Sequence, residues 1–261
     1  MLKSHIREKL QIHAYYIRVS AHTRDCRSFP NCRLRSYCTM RVLIFGATGA
    51  IGICLIREAL SVLQSCTLVL YVRSPEKFPD DISCNPAVVI IKGQLDDLDA
   101  LSKAMEGVDS VLSALGPSVK KGPFHPSGTP LAHAYSRIID LMYKHHVRRL
   151  IALGTASITD PHDKFNLAFS ILVKGVAIAA RNAYKDVVAI GEAIRGQGAD
   201  LGWTIVRVPI LTDQESKEII AGYVGDGKTN TWLSRPAFAA FVIGELEKGE
   251  WVKMAPIVCS L

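Results

Sequence analysis

The sequence predicts a doubly wound α/β fold, with a parallel sheet covered by helices on both faces, and three features carry that prediction. Short apolar runs alternate with longer helical patterns; the runs are nearly continuous rather than alternating with polar residues; and a glycine-rich turn joins the first run to the first helix. The expected strands are 41–45 (RVLIF), 67–72 (TLVLYV), 87–91 (AVVII), 109–114 (DSVLSA), 148–153 (RRLIAL) and 203–208 (WTIVRV). Helical patterns fall at 50–64, 97–106, 129–145 and 183–197. Beyond residue 212 a smaller C-terminal region follows, with a helical pattern at 235–247 and a last strand expected near 251–257.

The first element gives the chemistry. RVLIFGATGAIG places Gly46, Gly49 and Gly52 between strand and helix, with Thr48 and Ile51 in the same loop. Glycine lets a backbone approach a pyrophosphate with no Cβ in the way, and a helix N-terminus offers free N–H groups to its oxygens. Strand, loop and helix stand in the order of a Rossmann dinucleotide site. The second element decides which dinucleotide. A reader of the ribose 2′-hydroxyl needs an acid about twenty residues beyond the loop. Here Arg73 and Ser74 stand there, with Lys77 close behind. A guanidinium suits a 2′-phosphate, so the expected cofactor is NADP(H).

The later strand ends line the same crevice. Ala114, Leu115 and Gly116 follow the fourth, Gly154 and Thr155 the fifth, and Pro209 the sixth, where small residues admit a nicotinamide ribose. Thr155 or Ser157 is placed to hydrogen-bond a substrate carbonyl. Residues 160–183 are expected to close over the site as an apolar, amphipathic lid, which implies a hydrophobic substrate. Residues 212–261 are expected to act as a cap.

The first 39 residues read differently. They hold eight Lys and Arg against two acids, a net of +6, which leaves +1 of the total +7 for the rest of the chain. They form no sustained period and lack a secretory apolar core. Three readings stand: an extension ahead of a natural start at Met40, a mitochondrial targeting segment, or a basic arm. A basic tail on a near-neutral body argues against nucleic acid as partner. Seven cysteines without a CxxC pair argue against zinc and a disulfide framework, so no metal is expected. No apolar run is long enough to span a bilayer. The expected protein is cytoplasmic, or mitochondrial if the extension is a presequence, and a monomer or homodimer.

Across residues 40–257, GATGAIG, YVRSPEKF, GQLDD, RRLIALGT and IRGQGADLGWTIVRVP resemble the extended or atypical short-chain dehydrogenase group. The C-terminal AGYVGDGKTNTWLSRPAFAAFVIGEL is similar to its NmrA-like and biliverdin reductase B (flavin reductase) branch. The resemblance implies NADPH binding and hydride transfer to a small carbonyl, quinone or flavin-like acceptor. The acid those relatives carry after the third strand, often Asp in a GD pair, is Gln94 here, which weakens one adenine contact but still permits an amide hydrogen bond; Leu95 beside it is also expected at the cofactor. The serine those relatives present after the fifth strand corresponds to Thr155. Their histidine falls at Val187.

The group's Y-x-x-x-K, a tyrosine acid with a lysine lowering its pKa, is missing. Tyr184 is followed directly by Lys185, with Val188 four residues on. Candidate catalytic groups are therefore Thr155, Tyr184 and Lys185. Two other functions stay open on the same fold: an NADP(H)-sensing regulator of NmrA type, and a redox-neutral isomerase or cyclase.

Overall fold

A computed structural model describes residues 40–117 and 123–261, so the basic extension 1–39 lies outside the described residues. In β1 (Met40–Phe45), Val42, Leu43, Ile44 and Phe45 are all fully buried, as a central parallel strand with helices on both faces requires. Helix α1 (Ala50–Val62) returns to β2 (Cys66–Val72), and a short helix α2 (Asp80–Ser83) leads to β3 (Val88–Lys92). Helix α3 (Leu98–Ala104), capped by the Asp97 carboxylate on Ala100 N–H, leads to β4 (Ser110–Ser113). Then come α4 (Pro130–Lys144) and β5 (Arg149–Thr155), followed by α5 (Leu167–Ala179), α6 (Arg181–Gln197) and β6 (Gly202–Val208).

The C-terminal region adds β7 (Ile210–Thr212), β8 (Ile219–Gly222), β9 (Trp232–Ser234), α7 (Arg235–Lys248) and β10 (Ile257–Ser260). The main sheet has the order β3-β2-β1-β4-β5-β6-β10-β8, while β7 and β9 pair separately. Every pairing in the main sheet is parallel except that of β8 with β10. The doubly wound Rossmann arrangement is thus present, and the C-terminal region extends its sheet by two strands.

The last strand lies further along than the sequence suggested. Gly249 ends α7 in the left-handed region at φ 64°, and Trp251–Lys253 form a turn held by Trp251 N–H on the Glu245 carboxylate, at 3.0 and 3.1 Å. The strands β7, β8 and β9 are too short and mixed to have shown a period.

Two apolar layers sandwich the sheet. One joins α1 and α7 through Leu55, Ile56, Phe238 and Val242; the other joins α3, α4 and α6 through Leu101, Tyr135, Ile138, Ile190 and Ile194. A buried cation ties the C-terminal strands to this body. Arg207 of β6 has no solvent exposure; its Nη1 and Nη2 donate to Asp163 at 2.6 and 2.8 Å, and its Nε to the Ala255 carbonyl at 2.6 Å. Burial pushes the Asp163 carboxyl pKa up. The hydrogen bond and charge of Arg207, with the amides of Asp160 and Val224, outweigh it and hold the group below its ordinary range.

Candidate functional site

The strand order reverses direction between β1 and β4, and the two loops leaving these strands touch at the carboxyl end of the sheet. Gly46 turns the chain at φ 70°, and a Cβ there would lie 2.7 Å from the Ala114 carbonyl and 2.9 Å from the Leu115 nitrogen. Gly52 is equally constrained: a Cβ would meet the Gly46 oxygen at 2.4 Å, so α1 packs against its own loop. Gly49 is different. An added Cβ would meet only the Gly46 oxygen, at 3.4 Å, and the residue is exposed. Two glycines are accounted for by the protein's own packing. The third leaves its side of the loop open. The helix behind it has no side-chain cap and no acid in its first turn, which leaves its N-terminal amides and dipole for an anion. Thr48 and Ile51 are half-buried beside it.

At the end of β2, Arg73 is exposed and has no ion-pair partner among the described residues. Ser74 beside it is half-buried and its side chain makes no cap bond, although it stands at the N-cap of the short 3-10 turn. The Gln94 side chain is exposed, while the backbone carbonyl of Gln94 takes the Tyr71 O–H at 2.7 Å. Burial, helped by the charges of Asp97 and Asp96, pushes Tyr71 up to about 12. The hydroxyl therefore stays protonated and pins the loop after β3. Leu95 is half-buried and packs on the core edge.

Strand register brings the remaining positions together. Phe45 is level with Ser113, and Thr155 with Val208, so Thr155 sits one residue from Pro209 across neighbouring strands. Ala114 and Leu115 are half-buried, whereas Gly116 is exposed. Gly154 is buried, and a Cβ there would meet Ile205 Cγ2 at 2.6 Å. The Thr155 hydroxyl accepts the Ser157 amide at 3.2 Å and keeps its own proton to donate. Tyr184 is half-buried in the first turn of α6; Lys185 next to it is exposed.

The sequence reading missed one constellation. His125 Nε2 lies 2.7 Å from Asp186 Oδ2; Asp186 is fully buried and His125 nearly so. A carboxylate only accepts, so Nε2 bears the proton. Asp186 also takes the amides of Leu131 and Ala132 at 3.1 and 2.9 Å. It caps α4 in place of Thr129, which stands left-handed at φ 48° and makes no side-chain cap bond. Asn182 Nδ2 donates to the His125 carbonyl at 3.0 Å. A signal was present: Ala183, Val187, Ile190 and Ile194 form the apolar stripe of α6, and Asp186 falls within it. An acid on a buried stripe needs donors.

A glycine loop at the strand-order reversal of a doubly wound sheet, opening on an uncapped helix, defines a dinucleotide-binding Rossmann protein. The chain belongs to the NAD(P)H-binding family, which it matches over residues 46–248.

Solved structures agree on the fold. A wide-type short-chain dehydrogenase/reductase from Veillonella parvula in complex with NADP superposes with a TM-score of 0.68 at 16% identity, covering 85% of this chain and 94% of that one. An anaerobilin reductase from Escherichia coli O157:H7 gives 0.65 at 15% identity, covering 85% and 97%. A Rossmann-fold NAD(P)-binding family protein from Shigella flexneri gives 0.60 at 23% identity, covering 85% and 94%. Among the described residues, no group of three His, Cys, Asp or Glu side chains is placed to hold a metal ion.

Proposed function

We propose that the protein is an NADPH-dependent reductase of a small hydrophobic carbonyl, quinone or flavin-like acceptor, of the atypical short-chain dehydrogenase kind. The observation that carries the cofactor half of this reading is Gly49, where an added Cβ would meet, among the described residues, only the Gly46 oxygen at 3.4 Å. The residues present fit a dinucleotide. The amides of the Gly46–Gly52 loop and the start of α1 would hold the pyrophosphate; Arg73 and Ser74 would hold the 2′-phosphate; Gln94 and Leu95 would flank the adenine. Ala114, Leu115, Gly116, Gly154 and Pro209 would border the nicotinamide half. When bound, the nicotinamide supplies or accepts hydride.

What the chain adds is placement and polarisation of the acceptor. Thr155 has an O–H to give, oriented by the Ser157 amide on its oxygen. Tyr184, half-buried in the first turn of α6, is the second candidate donor. Lys185 is exposed, and its cationic role is the weakest of the three. That arrangement also favours a second reading, an NADP(H)-sensing regulator that binds both redox forms without turnover.

A single panel separates the two. NADPH oxidation is followed with quinones, flavins and apolar carbonyls, beside calorimetric titration of NADPH and NADP. Turnover with any acceptor supports the reductase. Tight binding of both forms without turnover across the panel supports the regulator.

A further inference from the structure

Helix α5 exposes an apolar surface that the fold does not use. Its sequence, LAFSILVKGVAIA, is apolar nearly all round, yet Phe169 is its one buried residue. Leu167 and Ile171 are each 64% exposed and Ile178 is 84% exposed, and Phe165, just ahead of the helix, is also 84% exposed. The spacing i, i+4, i+7, i+11 sets Leu167, Ile171, Lys174 and Ile178 in one stripe, opposite Phe169. Water-facing apolar surface of this extent marks a place where something docks.

Charge identifies what docks. Residues 164–185 contain Lys164, Lys174, Arg181 and Lys185 and no acid. All four cations are exposed, and none has an acidic partner among the described residues. A second copy docked about a two-fold axis would bring the same cations face to face with no carboxylate to receive them. The basic segment 1–39, at net +6, has the same sign and is equally poor as a cover. A bilayer surface carrying anionic headgroups meets both demands at once. It takes apolar side chains into its acyl boundary and attracts cations at its rim.

Lys174, inside the stripe, suits this place because a lysine buries its four-carbon stem and raises its ammonium to the headgroups. At 1.5 Å per residue the 13 residues of α5 reach about 20 Å, short of the roughly 30 Å of a hydrocarbon core. The helix is bent by 117° from α6, so the two do not make one rod. The geometry points to α5 as a helix that lies in the surface of an anionic membrane, holding the protein peripherally. It follows the carboxyl end of β5 and precedes the first turn of α6, so docking would bring the crevice side of the sheet to the lipid.

The test is flotation of the full chain with phosphatidylcholine vesicles, with and without phosphatidylserine. Binding is expected to the phosphatidylserine vesicles, about tenfold or more above phosphatidylcholine alone, and to weaken as salt is raised. The double variant Ile171→Asp, Ile178→Asp alters only exposed side chains. It is expected to lose that binding about tenfold while keeping its NADPH affinity and thermal midpoint. Undiminished vesicle binding by this variant would assign the membrane contact elsewhere, segment 1–39 included, and overturn the inference. So would a wild-type chain that ignores both vesicles, or a dimer that the double variant dissociates.

Discussion

Asp186 accepts the Nε2–H of His125 at 2.7 Å, and the same buried carboxylate receives the first free amides of α4 from Leu131 and Ala132. One side chain thus joins α6, α4 and the loop after β4 at the crevice end of the sheet. Removing it strands three donors in an apolar setting. Asp186→Ala is expected to cost about 3 kcal/mol in chemical denaturation, with His125→Ala costing less because the cap on α4 survives. A loss below about 1 kcal/mol for Asp186→Ala would show that the cap carries no weight.

The three glycines of the opening loop are expected to behave differently. Gly46→Ala and Gly52→Ala drive a Cβ against backbone atoms at 2.4 to 2.9 Å, and each should lower the thermal midpoint by several degrees. Gly49→Ala meets only one oxygen at 3.4 Å. It should leave the midpoint near that of the wild type while weakening NADPH binding by about tenfold or more. Thermal shift with and without NADPH reads both effects at once. A Gly49→Ala protein that binds NADPH normally would remove the main support for a pyrophosphate at this loop.

Acid should loosen the molecule through Asp163. Its pKa lies below the ordinary 3.8 in the folded chain, so folding gains stability from it at any pH above that value. The gain disappears as the pH falls through the depressed folded value. Asp163→Asn leaves the fully buried Arg207 without its carboxylate and should cost about 3 kcal/mol at neutral pH. It should also flatten the stability profile below about pH 4. Urea midpoints measured across that range in both proteins check the sign. An unchanged acid limb in the variant would move the effect to another carboxylate.

Cys259 is expected to be inert. Burial raises its thiol to about 11, and the hydrogen bond its Sγ donates to the Asn230 carbonyl helps hold it in place. A thiol reagent at neutral pH should label the exposed Cys84 readily and Cys259 only on unfolding, as peptide mapping would show. Labelling of Cys259 in the native protein would contradict that burial.

The parallel core was legible because its strands are long and buried on both faces. RVLIF, TLVLYV and WTIVRV announce themselves by continuous apolar character, and the glycine loop by its place after the first of them. Strands β7, β8 and β9 were not legible, since three or four residues of mixed burial carry no period. The lid expectation over 160–183 rested on the apolar composition of that segment. The sequence could not say that α5 would keep only Phe169 inside. His125 was invisible because its partner lies 61 residues away, and only the fold closes that separation.

On the proposed function, the loop of Gly46, Gly49 and Gly52 binds NADPH and Arg73 chooses it over NADH. Calorimetric titration of both reduced cofactors into the wild-type chain and Arg73→Ala tests it most directly. NADPH is expected to bind the wild type about tenfold or more tightly than NADH, and Arg73→Ala to erase most of that gap by weakening NADPH alone. Equal affinities for the two cofactors in the wild type, or a preference that survives the loss of Arg73, would contradict it.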